Sequence, residues 1–126
     1  MSEPRTVLII DDSPTFRTMV GFALRKIANF ERELQAEDGL EAIDALAKNH
    51  VDLIICDVNM PNMNGLELLK TIKGDEKLKS IPVIMLTTEG KDDDKERAVK
   101  LGANGYLKKP FKPNDLKAEV DKWAPK

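Results

Sequence analysis

The sequence has little of what many protein chemistries need. A single cysteine, Cys56, in 126 residues excludes an internal disulfide and any cysteine-based zinc cluster. A single histidine, His50, excludes a multi-histidine metal centre and leaves a Ser-His-Asp triad one imidazole with no partner pattern around it. No apolar run exceeds four residues, too short for a membrane-spanning helix. Val7–Ile10, the first such run, is also too short for the core of a signal peptide. The expected location is therefore the cytoplasm, with no membrane partner. An excess of one charge is missing too: 20 Lys and Arg against 22 Asp and Glu leave a net charge of −2. That balance argues against a surface built to coat nucleic acid. Repeats and low-complexity tracts are absent, and the length fits one domain, expected to span residues 1–126.

What is present alternates. Val7-Leu8-Ile9-Ile10, Leu53-Ile54-Ile55-Cys56 and Val83-Ile84-Met85-Leu86 are short, rich in β-branched residues and bounded by polar ones. Such runs read as strands buried on both faces of a parallel sheet. Glu33–Glu37 and Gly105–Lys108 are weaker strand candidates. Between them, Phe16, Met19, Val20, Ala23, Leu24 and Ile27 recur at helical spacing behind Ser13-Pro14, a capping residue followed by a first-turn proline. Asp38 and Asn64 each precede a Glu by three positions, the pattern of a capping box. Their helices carry stripes of Leu40, Ile43 and Leu46, and of Leu66, Leu69 and Ile72. The charged run Lys91–Arg97 reads as the solvated start of a helix over Asp92–Leu101 with a thin apolar stripe, ended by Gly102. A last helix, Pro113–Trp123, buries Leu116, Val120 and Trp123.

This βαβαβαβαβα order implies an α/β fold, a doubly wound five-stranded parallel sheet with five helices on its two faces. Such sheets place their chemistry at the carboxyl ends of the strands. Those positions hold Asp11 and Asp12 after the first strand, Asp57 after the third, Thr87 after the fourth and Lys109 after the fifth. Carboxylates about 4 Å apart repel by up to about 4 kcal/mol per pair at an effective dielectric of about 20. Lys109 offsets part of this, and oxygen-only donors with room for water fit Mg²⁺ as the second positive charge. A carboxylate flanked by a hard cation, an ammonium and a hydroxyl can attack phosphorus, which makes Asp57 the candidate nucleophile.

Asp11-Asp12-Ser13, the Asp57–Gly65 segment, Thr87-Thr88-Glu89-Gly90 and Lys108-Lys109-Pro110-Phe111, in this order over essentially the whole chain, resemble the receiver domain of two-component response regulators. The similarity is greatest to the stand-alone chemotaxis (CheY-like) type. It implies a flavodoxin-like sheet of order 2-1-3-4-5. It further implies that Asp57 accepts a phosphoryl group from a histidine kinase or a small phosphodonor and loses it slowly by itself. Asp11, Asp12, Asp57 and the backbone carbonyl of Asn59 would hold Mg²⁺, with Thr87 and Lys109 on the phosphoryl oxygens. Tyr106 would be the switch aromatic, turning inward as Thr87 moves. Asn59 and Glu89 would tune hydrolysis, Thr88 is bulkier than the residue usual after the conserved Thr, and the Lys109–Pro110 bond would be cis. The chain is expected to be a monomer, with no residues left over for an output domain. Its α4-β5-α5 face would bind a downstream protein, the flagellar motor switch in chemotaxis; a phosphorelay intermediate is the alternative.

Each residue alone has a plainer explanation. Asp11 and Asp12 could cap a helix, Asp57 could form a turn, Pro110 could end a strand, and Tyr106 could be half-buried packing. Their joint occurrence outweighs these readings. An aspartyl-phosphate phosphatase of the haloacid-dehalogenase kind would need a proton donor two residues past Asp57, where Asn59 stands. A flavin carrier would need a phosphate-binding loop where Asp11-Asp12 would repel the phosphate.

Overall fold

The computed structural model describes residues 5–27, 30–58, 60, 63–88, 92–109 and 111–123. Strands and helices alternate as β1 (Thr6–Ile10), α1 (Pro14–Ile27), β2 (Arg32–Ala36), α2 (Gly39–Lys48), β3 (Leu53–Asp57), α3 (Gly65–Lys73), β4 (Val83–Thr88), α4 (Asp92–Lys100), β5 (Gly105–Lys109) and α5 (Pro113–Trp123). The strands form one parallel sheet in the order β2-β1-β3-β4-β5, as the resemblance implies.

Alternate residues of the central strands serve opposite layers. Val7, Ile9, Leu53 and Ile55 pack under α1 and α5, whereas Leu8, Ile10, Ile54 and Cys56 pack under α2, α3 and α4. All five residues of β1 and of β3 are buried, and apart from Thr6 and Asp57 all are apolar, which is why those strands stand out in the sequence. The outer strands β2 and β5 bury only part of their residues, and their sequence signal is weak for that reason. β2 also sits one residue earlier than Glu33–Glu37, because the Glu37 amide donates instead to the Glu41 carboxylate at 3.1 Å. The nearby charge of Glu41 holds the Glu37 carboxyl above its ordinary range.

Helix starts follow the caps read from the sequence. Asp38 accepts from the Glu41 amide and Asn64 from the Glu67 amide, each at 2.9 Å. The apolar stripes need correction. Met19 is 53% exposed and Leu40 59% exposed. At about 100° per residue, Met19 lies about 100° from Val20, beyond the arc of Phe16, Leu24 and Ile27. Leu40 falls about 160° from Ala42, the buried centre of α2, because an i+3 series drifts about 60° per step. Trp123 is half-buried rather than buried.

α4 ends as Gly102 suggests, at φ 101°. Gly102 and Ala103 donate back to Val99 and Ala98 at 3.1 and 2.9 Å, a Schellman closure. Among the described side chains of α4 only Ala98 is buried, and Val99 is 59% exposed. At the amino end of the sheet, Lys73 donates to the Lys79 and Ile81 carbonyls and to Asn104 Oδ1 at 3.1, 3.0 and 2.9 Å. Burial lowers the Lys73 ammonium below its ordinary range, yet all three of its donors find neutral acceptors. Asn104 Oδ1 also accepts from the Val83 amide at 3.0 Å, so this lysine ties α3 to the entries of β4 and β5. Among the described residues, no helix is long and apolar enough to cross a membrane.

Candidate functional site

The site lies where the strands end. β1 leads into Asp11, β3 finishes on Asp57, β4 carries Thr87 one residue before its end, and β5 finishes on Lys109. Parallel register makes neighbours of them, with Asp57 opposite Leu86 and Thr87 opposite Lys108. Asp11, Asp57 and Thr87 are buried, at 1%, 3% and 0% exposure, whereas Asp12 is exposed and forms the rim.

Lys109 joins the two buried carboxylates. Its Nζ is 2.7 Å from Asp11 Oδ2 and 3.3 Å from Asp57 Oδ1. The same ammonium lies 3.9 Å from the centroid of the Phe16 ring. Asp11 is held from several sides: its Oδ1 accepts from the Ser13 amide at 2.9 Å, and its carbonyl accepts from Arg17 Nη1 at 2.5 Å. Arg17 Nε in turn donates to Gln35 Oε1 on β2 at 3.0 Å. The start of α1 is itself capped, with Ser13 Oγ accepting from the Phe16 amide at 3.2 Å.

Among the described residues, one ammonium faces three carboxylates here. A ligand oxygen from each of Asp11, Asp12 and Asp57 lies within 4.8 Å of the others. Octahedral Mg²⁺–oxygen distances of about 2.1 Å allow two ligand oxygens to stand at most about 4.2 Å apart. At least two of the three pairs would stand cis, at about 3.0 Å, so the carboxylates would draw together on binding, and the all-oxygen donor set suits that hard cation. These residues fit Mg²⁺.

Thr87 Oγ1 lies 2.5 Å from the hydroxyl of Tyr106, so the residues expected to form the switch are in contact. Lys95 of α4 stands over the Tyr106 ring at 5.4 Å. Tyr106, Glu119, Lys122 and Trp123 line a shallow groove between α4 and α5 with Lys95 at its rim. Asn59, Glu89 and Pro110, and with them the backbone-carbonyl ligand, the hydrolysis-tuning pair and the cis bond, lie outside the described residues. The Cys56 thiol is buried beside the site and donates to the Asp57 carbonyl at 3.3 Å. Burial pushes that thiol far above its ordinary range, and it packs as a small apolar residue.

Three contributors were not read from the sequence. Phe16 looks like an ordinary core position on α1, and no spacing rule links Arg17 to the Asp11 carbonyl. Gly65 follows the Asn64 cap and closes the Asp57–Gly65 segment, but its position in the sequence does not reveal what it touches. In the structure its amide donates to the Val58 carbonyl at 2.8 Å, and a Cβ there would fall 2.1 Å from the Asp57 carbonyl oxygen. Only glycine lets α3 approach the Asp57 turn so closely.

The family model for the response regulator receiver domain matches residues 7–121. Chemotaxis protein CheY-3 of Vibrio cholerae is 43% identical over 116 residues, covering 92% of this chain and 88% of CheY-3. Chemotaxis protein CheY of Pseudomonas aeruginosa is 39% identical over 116 residues, covering 92% of this chain and 93% of its own. The structure of Vibrio cholerae chemotaxis protein CheY4 superposes with a TM-score of 0.85 at 36% identity, over 96% of this chain and 99% of that one.

Proposed function

The chain belongs to the response regulator receiver domain family, and from that premise we propose that it is a phosphorylation-driven switch with Asp57 as acceptor. The observation that carries the reading is the buried Asp57 carboxylate beside the Lys109 ammonium, ringed by the oxygens of Asp11 and Asp12. A histidine kinase is the donor. An Asp57 oxygen attacks phosphorus as the bond to the kinase imidazole breaks, leaving an acyl phosphate on Asp57 and the proton-bearing imidazole on the kinase. Asp11, Asp12, Asp57 and the Asn59 carbonyl would hold Mg²⁺, which when bound neutralises charge on the phosphoryl oxygens. Lys109 is near enough to move from Asp11 onto one of those oxygens. Asn59 and Glu89, flanking the acceptor and Thr87 in sequence, would govern access of hydrolytic water.

Thr87 links this chemistry to the surface. A hydroxyl donates one proton and accepts through its lone pairs, so Thr87 can donate to a phosphoryl oxygen while accepting from Tyr106. Its movement would draw the Tyr106 ring inward and shift a pre-existing equilibrium of the α4-β5-α5 face. The scant burial along α4 supports low local stability there. Lys95 and Lys122 line the groove of this face together with Glu119 and would be the groups to meet an acidic segment of a partner, while Lys117 is already paired with Asp121 at 2.6 Å. The chemotaxis relatives favour the flagellar motor switch as the downstream protein over a relay partner. Tyr106→Ala is expected to be phosphorylated at the wild-type rate yet lose affinity for that partner. Unchanged affinity in a pull-down with the phosphorylated variant would remove Tyr106 from the switch.

Metal linkage tests the pocket. Mg²⁺ at tenfold over its dissociation constant is expected to add about 1.4 kcal/mol to the unfolding free energy. Asp57→Asn is expected to be more stable than the wild type without metal, since it removes one of three mutually repelling charges, and to gain less from Mg²⁺. Thermal melts with and without millimolar Mg²⁺ read both effects, and a wild-type melting temperature indifferent to the ion would count against the reading.

A further inference from the structure

Lys109 has a neighbour that phosphoryl chemistry alone does not call for. Its ammonium rests over the face of Phe16 at 3.9 Å, and Phe111 meets that ring edge to face at 5.9 Å and 89°. Both rings are half-buried against the α1 and α5 layer, and the capped first turn of α1 fixes the position of Phe16. We propose that Phe16 is the positioning residue of Lys109, the surface that keeps the ammonium beside Asp57 once Asp11 is engaged by a cation. The inference rests on the receiver reading of Asp57.

The reasoning is electrostatic. Asp11 is both the nearer partner of Lys109, at 2.7 Å, and one of the candidate cation ligands. A divalent ion on Asp11 repels the ammonium and takes the carboxylate that held it. The lysine side chain is already 21% exposed and would relax toward water on its flexible stem. An aromatic face attracts the ammonium through its quadrupole and carries no formal charge for the ion to claim. The lysine then stays within reach of the incoming phosphoryl oxygens.

The test compares wild type, Phe16→Leu and Phe16→Tyr in the full chain. Leucine keeps an apolar side chain without a π-face, and tyrosine keeps the face. In wild type the ring current is expected to shift the Lys109 ε-methylene protons upfield, and Phe16→Leu to return them to the ordinary lysine position. Affinity for beryllofluoride, a phosphoryl mimic, in saturating Mg²⁺ is expected to fall about fivefold in Phe16→Leu and to stay within about twofold of wild type in Phe16→Tyr. Mg²⁺ affinity is expected to hold within about twofold in both variants. Wild-type beryllofluoride affinity in Phe16→Leu, or a parallel loss of Mg²⁺ affinity from a collapsed pocket, would overturn the positioning role. A wild type showing the methylene shift but no beryllofluoride binding would instead overturn the receiver reading, and the role with it.

Discussion

Lys109→Met is expected to lose about 3 kcal/mol of unfolding free energy in metal-free buffer, measured by urea denaturation. The ammonium is the positive partner of two carboxylates that are almost wholly buried, Asp11 at 2.7 Å and Asp57 at 3.3 Å. Removing one partner of a buried pair leaves uncompensated charge and costs about 3–5 kcal/mol. The lower end applies because the pocket opens to water at the exposed Asp12. Domains are stable by only about 5–15 kcal/mol in total, so the variant should melt well below wild type. Adding Asp57→Asn to Lys109→Met is expected to restore part of the loss, since it deletes one of the stranded charges. No restoration would place the effect in packing of the lysine stem rather than in charge.

Gly65→Ala is expected to cost at least about 2 kcal/mol and to slow phosphorylation by more than tenfold. A Cβ at this position would lie 2.1 Å from the Asp57 carbonyl oxygen and 2.8 Å from the Val58 Cα. Both obstacles are backbone, so no rotamer change relieves them, and α3 must shift away from the turn that bears the acceptor. Overpacking of this kind costs about 1–3 kcal/mol and sometimes more, and a displacement near 1 Å can cost about a hundredfold in rate. Gly74→Ala is a fitting control, because a Cβ there would come no closer than 3.2 Å to a backbone oxygen. Equal phosphorylation rates for the two variants would show that the close approach at Gly65 does not position Asp57.

The parts of this molecule that could be read from the sequence are those where one physical demand dominates. β1 and β3 must satisfy two buried faces, so Val7–Ile10 and Leu53–Cys56 are apolar without a break until the chain reaches Asp11 or Asp57. The caps at Asp38 and Asn64 are local, involving an amide only three residues away. The site residues are legible because parallel strands bring their carboxyl ends to one edge, and charged residues at those ends interrupt the apolar runs. What stayed hidden depends on contacts between distant segments. The edge strand β2 is bounded by where Glu37 turns to Glu41 rather than by hydrophobic pattern. Met19 is exposed because a stripe drawn at mixed three- and four-residue spacing is wider than the layer α1 covers, and Leu40 because a strict three-residue series drifts off the buried face of α2. Phe16 reaches Lys109 across 93 positions (109 − 16) of chain, and periodicity carries no information about such a meeting.

The most direct test of the central claim is intact mass after incubation with acetyl phosphate and Mg²⁺, for wild type and Asp57→Asn. Wild type is expected to gain the mass of one phosphoryl group, and to lose that gain when Mg²⁺ is omitted or Asp57 is replaced. A phosphoryl adduct of equal yield in Asp57→Asn would contradict the assignment of Asp57 as the acceptor.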